Sequence, residues 1–317
     1  MTSATHNSQV EEQDTRPIVE RTIDQSFLWL TRIFAFAVAA LLLWIAVQVA
    51  MQAWPAMQEF GWQFLTTSAW NPVEDNYGII PMIYGTVVSS LIALLIAVPI
   101  GTACAIVLSE NFLPVSIRTV LVFLVELLAA IPSIVYGFWG IYVLIPFLEP
   151  IGSWLHNNFG WIPLFSTPYV GPGMFPAGVI LAIMILPIFT TISRDSLAAL
   201  PTNLRWGSYG VGSTRWQTIF SVLIPAAFSG IVGGAMLALG RALGETMAVT
   251  LVIGNNNSLN FSLLAPANTI ASLIANQFSE ASGLQEASLM YAGLVLFIIT
   301  LIVNILAELI VRQVKKY

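Results

Sequence analysis

Charge is what this chain has least of. Only 9% of its 317 residues are Asp, Glu, Lys or Arg, and 57% are hydrophobic, whereas a soluble globular domain carries about a quarter charged residues. That shortage excludes a soluble globular protein and leaves one that lies mostly in lipid. Cysteine occurs once, as Cys104 in an apolar run, so no internal disulfide can form and no thiolate metal site is expected. His6 and His156 are far apart and lie in polar segments, which is not how histidine metal ligands are spaced. Lysine is confined to Lys315 and Lys316 at the end of the chain. The phosphate-binding loop of a nucleotide motor needs a lysine after its glycine run, so that kind of motor is excluded. No nucleophile or metal-ligand constellation occupies the aqueous segments. The chain is therefore expected to have no catalytic residue, no metal, no cofactor of its own and no nucleic-acid partner, and any energy source must be another subunit or an ion gradient.

What is abundant is long apolar sequence. A spanning helix needs about 20 mostly apolar residues, and six segments qualify, at roughly 30–53, 80–108, 118–147, 174–193, 226–253 and 287–310. The fold class is all-α and polytopic. Pro132 interrupts the third segment, which is either one kinked helix or two pieces. Residues 1–27 read as a polar tail, too long and too acidic for the leading region of a cleavable signal, and residues 28–317 as one transmembrane domain. The connections at about 54–79, 148–173 and 254–286 hold no Lys or Arg, so ten of the eleven basic residues fall on one side of a six-crossing arrangement. This is the positive-inside pattern, with both termini cytoplasmic. Trp, Tyr, Asn, Pro and Gly fill the outer connections, as in QAWPAMQEFGWQF and WNPVEDNYG, and fit anchoring at the lipid boundary.

The eleventh basic residue is Arg241, in GRALGETMAV, inside the fifth apolar segment. An Arg or Glu at mid-bilayer costs about 3 kcal/mol on insertion scales. Arg241 and Glu245 are spaced i, i+4, which on a continuous helix brings them together as an ion pair. Counted from Pro225 at 1.5 Å per residue, Arg241 lies about 24 Å along the helix, too deep to reach back to the cytoplasm. Two readings stand: a neutral pair that glues helices together, or a hydrated path on which Arg241 meets a passing anion and Glu245 holds and weakens its grip. The planar guanidinium, charged at any accessible pH, matches phosphate or carboxylate oxygens. Glu126, in VLVFLVELLAA, is a second candidate buried acid that either faces the same path or bonds a neighbour.

Between the fourth and fifth segments, at about 194–225, lies SRDSLAALPTNLRWGSYGVGSTRWQTIFSVLIPAA. Pro201 suits a helix start, the glycines at 207, 210 and 212 loosen or end that helix, and Thr214 with Gln217 fits a capping box. The result is a compact cytoplasmic knob whose Trp206 and Trp216, beside Arg205 and Arg215, have the composition of contact hot spots.

This loop resembles the EAA signature of ABC importer permeases: Gly212 is followed after nine residues by Val222-Leu223-Ile224-Pro225, as in that pattern. The Glu-Ala-Ala positions are occupied by Trp206, Gly207 and Ser208, so the acid is missing. From about Trp70 onward the chain is similar to the C-type permeases of the high-affinity phosphate importer, through NPVEDNYGIIPMIYGT, LLAAIPSIVYGFWG, GRALGETMAVTLVIGN and APANTIASLIANQFSEA. The resemblance implies the type I importer permease fold in the bacterial inner membrane. It implies a second homologous permease, two ATPase subunits that use ATP and Mg and grip the loops, and an extracytoplasmic phosphate-binding protein. It associates Arg241 and Glu245 with phosphate passage. Permeation of another tetrahedral oxyanion such as sulfate or molybdate, and a scaffold or signalling subunit that reports transporter state, are the alternatives.

Overall fold

A computed structural model of the chain describes residues 18–314; His6, Arg16, Lys315 and Lys316 lie outside the described residues. The chain divides into two compact units, 1–48 and 49–317. Helix α1 (Ile18–Phe60) runs across that division. From Ile33 to Val47 it is apolar on all sides, the composition of a helix surrounded by lipid.

The second unit holds the remaining elements. They are α2 (Ile80–Ser109), α3 (Val115–Ala129), α4 (Ser133–Trp139), α5 (Ile145–Phe159), α6 (Met174–Ala198), α7 (Thr202–Gly210), α8 (Arg215–Thr218), α9 (Ile224–Leu243), α10 (Met247–Val252), α11 (Ile270–Gln277) and α12 (Leu284–Val314). Two short strands, β1 (Trp70–Asn71) and β2 (Asn76–Tyr77), pair antiparallel with Trp70 opposite Tyr77. Among the described residues, six helical stretches are long and apolar enough to cross a membrane: Asp24–Leu65, Ile80–Ser109, Ser133–Phe159, Met174–Ala198, Arg215–Leu243 and Leu284–Ile310.

Two of these differ from the sequence expectation. The third crossing is Ser133–Phe159 rather than 118–147. Pro132 cannot supply the N–H that would continue α3, so the chain breaks at residues 130–132, and a wide π-type turn at Gly140–Leu144 joins α4 and α5 into one rod. The fifth crossing ends at Leu243 instead of running to 253, and α10 follows a break.

The core is centred on α2, α6 and α9. Ala93, Ala97, Gly101 and Ala105 recur every four residues on α2, and all are buried. A side chain at Gly101 would collide with the ring of Phe189 on α6. Small residues thus let two backbones approach closely where lipid offers no hydrophobic drive to bring them together. At the end of the bundle away from the basic loops, Phe64, Trp70, Tyr77 and Tyr291 form an aromatic cluster, with the Phe64 and Tyr291 rings stacked at 4.4 Å. Trp70 Nε1 donates to Gln277 Oε1 at 2.8 Å, satisfying its one polar group.

Candidate functional site

The break between α9 and α10 is the feature on which the site is built. The N–H of Gly244 still donates to Gly240 O at 3.3 Å, and that of Glu245 to Ala242 O in a tightened last turn. The ladder then stops and restarts at Met247. Packing by neighbours holds α10 in place: α4 lies along it, and Gly137 is where Ala248 and Leu251 approach. Val252 O accepts from Gly173 N at 3.0 Å, tying its far end to the start of α6. Non-helical backbone at membrane depth is tolerated where protein or a water-filled cavity surrounds it.

The depth of Arg241 follows from helix register. Gly230 packs on Ser196 and Gly234 on Ile192, an antiparallel pairing of α9 with α6. Continued along α9 at the same rise, it brings Arg241 level with about Ile185, close to the midpoint of α6. Arg241 therefore lies level with the middle of α6. Its pairing does not follow expectation. Arg241 and Glu245 form no ion pair among the described residues, because the break removes the i, i+4 geometry. Glu245 Oε1 instead accepts from Ala248 N at 3.3 Å and caps the first turn of α10. Arg241 is exposed on this chain, as is Leu237 one turn earlier on the same face.

Tyr136, on α4, is buried within electrostatic reach of Arg241. Its hydroxyl donates to Leu128 O at 2.9 Å, closing the end of α3. A cavity of about 300 Å³ adjoins it, lined by Leu128, Ile131, Val135, Tyr136, Trp139 and Ile183. Helices α4 and α10, which follow the interruptions at Pro132 and at Gly244, thus pack against each other. Sequence reasoning did not reach Tyr136; the Pro132 break four residues before it was the available signal.

Glu126 is not a buried acid on this chain. Helix α3 buries none of its side chains, and Glu126, 54% exposed, lies 3.8 Å from Arg194, which also bonds Asp195 at 2.7 Å.

The knob between α6 and α9 forms as read. Pro201 precedes α7, Gly212 takes the left-handed backbone conformation (φ +85°) that ends its turn, and Thr214 and Gln217 bond reciprocally in a capping box. Trp206 is 71% and Trp216 56% exposed. Gly207 has open space around it, and Ser208 shares a hydrogen bond with Thr218 at 2.9 Å. Arg215 lies over the ring of Phe112, 3.7 Å from its centroid. Arg205 turns inward to Glu110, with Nη2 at 2.8 Å from Oε1. Neither Glu110 nor Phe112 stood out in the sequence, since a short polar turn after a membrane helix ordinarily reads as solvated.

The chain's matches to known proteins agree with this geometry. A family profile described as binding-protein-dependent transport system inner membrane component matches residues 97–316. The chain belongs to this permease family. The permease is 43% identical over 310 residues to the phosphate transport system permease protein PstC of Pasteurella multocida, covering 96% of this chain and 97% of the relative. It is 46% identical over 297 residues to the protein of the same name from Mesorhizobium japonicum, covering 92% and 90%. Among solved structures, a chain of a bacterial alginate ABC transporter, crystallised with an alginate pentasaccharide-bound periplasmic protein, matches with a TM-score of 0.61 at 15% identity, over 93% of this chain and 98% of that one. At that identity the likeness concerns the fold, which is the type I importer permease fold. The permease is thus a multi-pass inner-membrane transport subunit that works in a complex, with ATP hydrolysis in a separate subunit.

Proposed function

We propose that this permease moves inorganic phosphate inward across the cytoplasmic membrane in an ATP-driven importer, with Arg241 as the anion contact along the route. The observation that carries the reading is the placement of Arg241: a guanidinium at mid-depth, free of any carboxylate among the described residues, on a face this chain leaves open. Lipid against that face would cost about 3 kcal/mol. A second subunit and the hydrated space between the two remove that cost. The names of the relatives supply the substrate, and the guanidinium supplies the matching chemistry, since its planar fork binds tetrahedral oxyanions through paired hydrogen bonds.

Glu245 completes the device. With the break open, its carboxylate caps α10 and leaves Arg241 to phosphate. When α9 and α10 straighten, the i, i+4 spacing returns Glu245 to the guanidinium, and the carboxylate displaces the anion. A transport site must bind well enough to admit its solute and weakly enough to release it.

The partners are a homologous second permease of the PstA type over the open face, two PstB-type ATPase subunits at the knob, and a PstS-type phosphate-binding protein outside. ATP and Mg are used by the ATPase subunits. Both termini are cytoplasmic, residues 1–27 form the cytoplasmic tail and 28–317 the transmembrane domain. The test is ATP-dependent uptake of labelled phosphate by the assembled complex in proteoliposomes, with sulfate and molybdate as competitors. Competition by excess phosphate alone supports the reading; equal competition by sulfate or molybdate, or uptake without ATP, overturns it.

A further inference from the structure

The first helix of the knob that meets the ATPase subunits has little apolar attachment to the bundle. Helix α7 buries none of its residues, and Gly207, Gly210 and Gly212 have nothing packed against them. Force applied to α7 is therefore passed on mainly through polar contacts. Most of these come from one side chain. Arg205 Nε donates to both carboxylate oxygens of Glu110, at 3.2 and 3.3 Å, and Nη2 donates to Oε1 at 2.8 Å. The remaining donors reach backbone carbonyls: Nη2 to Leu197 O at 3.0 Å and Nη1 to Leu200 O at 3.1 Å. Both side chains are largely buried, with 17% and 8% exposure.

These partners belong to the two helices that pack most extensively in the bundle. Glu110 terminates α2, and Leu197 lies in the last turn of α6. A second brace lies two residues on, where Phe112 stacks under Arg215 and packs against Trp216 with ring centroids 5.4 Å apart. The turn after α2 is thereby clamped to α7 through Glu110 and to α8 through Phe112.

We propose that Glu110 and Arg205 are the positioning pair that couples the knob to the membrane bundle, making α7 and the inner ends of α2 and α6 move as one body when the ATPase subunits close. The proposal rests on the transport reading above for the partners it names. Removing one partner of a buried charge pair leaves the other charge uncompensated, so Glu110→Gln frees α7 from α2 while leaving the exposed docking residues in place.

The experiment measures ATP hydrolysis and phosphate uptake together, in proteoliposomes holding the full complex. With Glu110→Gln, ATP hydrolysis is expected to stay within about twofold of the unaltered complex while phosphate moved per ATP falls about tenfold, the size of a typical coupling factor. Glu110→Asp, which keeps the charge, should retain most of the ratio. If Glu110→Gln does not assemble, Arg205→Lys, which keeps the positive charge but loses the fork, reads the same ratio and should lower it. Hydrolysis and uptake falling in parallel, or a ratio equal to that of the unaltered complex in both variants, overturns the proposal. An unaltered complex that moves no phosphate would instead refute the transport reading.

Discussion

Substituting Gly244 by alanine tests whether the break in the fifth crossing is a working part. Gly244 closes α9 with φ −92°, a backbone that alanine adopts without strain. A Cβ there would meet only Gly240 O, at 3.6 Å, an ordinary contact. The substitution therefore fits both the interrupted and the continuous helix, and what it changes is the balance between them. Alanine favours helix over glycine by about 0.8–1 kcal/mol, which moves that balance about fivefold toward the continuous form. In that form Glu245 occupies Arg241. The initial rate of labelled phosphate uptake should then fall by up to about fivefold, at unchanged amounts of complex in the membrane. Gly233→Ala is the control: it adds the same methyl group to the interior of α9, where nothing lies within 4 Å, and should leave uptake as it was. Wild-type uptake in Gly244→Ala, or an equal loss in Gly233→Ala, refutes the role given to the break.

Two further outcomes concern the two ends of the bundle. The Tyr77 hydroxyl donates to Asp75 Oδ1 at 3.2 Å; burial first, then this bond and the Asp75 charge, pushes the phenol up to about 12. Because the folded state favours the neutral phenol, this contribution is complete below the ordinary tyrosine pKa near 10 and is lost as pH rises toward about 12. Near-ultraviolet circular dichroism should therefore hold up to about pH 10 and change above it, with a smaller change in Tyr77→Phe; a wild-type transition well below pH 10 contradicts this. At the knob, Trp206→Ala should weaken attachment of the ATPase subunits by 2 kcal/mol or more, the cost typical of an exposed anchor, without altering membrane insertion. Co-purification of the ATPase subunits measures it, and undiminished recovery argues against Trp206 as an anchor.

Hydropathy made the crossings legible because lipid imposes one strong requirement on every spanning helix. It did not place the third one: residues 118–147 are apolar on both sides of Pro132, so length and composition alone cannot say which side completes the span. The capping box at Thr214 and Gln217 was legible because it is local. The separation of Arg241 from Glu245 was not, since no proline marks the break and it is stabilised by the Glu245 cap and by contacts of α10 with elements distant in sequence. The inward turn of Arg205 was not legible for a related reason. Beside Trp206 it has the look of a surface contact, and its partner Glu110 is 95 residues away in sequence. The exposure of Glu126 reflects a helix with no buried side chains, which apolar sequence in a membrane protein does not distinguish from a core helix.

The proposed transport route takes a phosphate ion past Arg241. The most direct measurement is ATP-driven phosphate uptake by the reconstituted complex carrying Arg241→Gln, compared with Arg241→Lys and with the unaltered chain at equal ATPase content. A charge-assisted contact contributes about 1.5–3 kcal/mol, so Arg241→Gln should lower uptake at least about tenfold, and Arg241→Lys, which keeps the charge without the fork, should retain part of it. Uptake at the unaltered rate in Arg241→Gln would contradict the account.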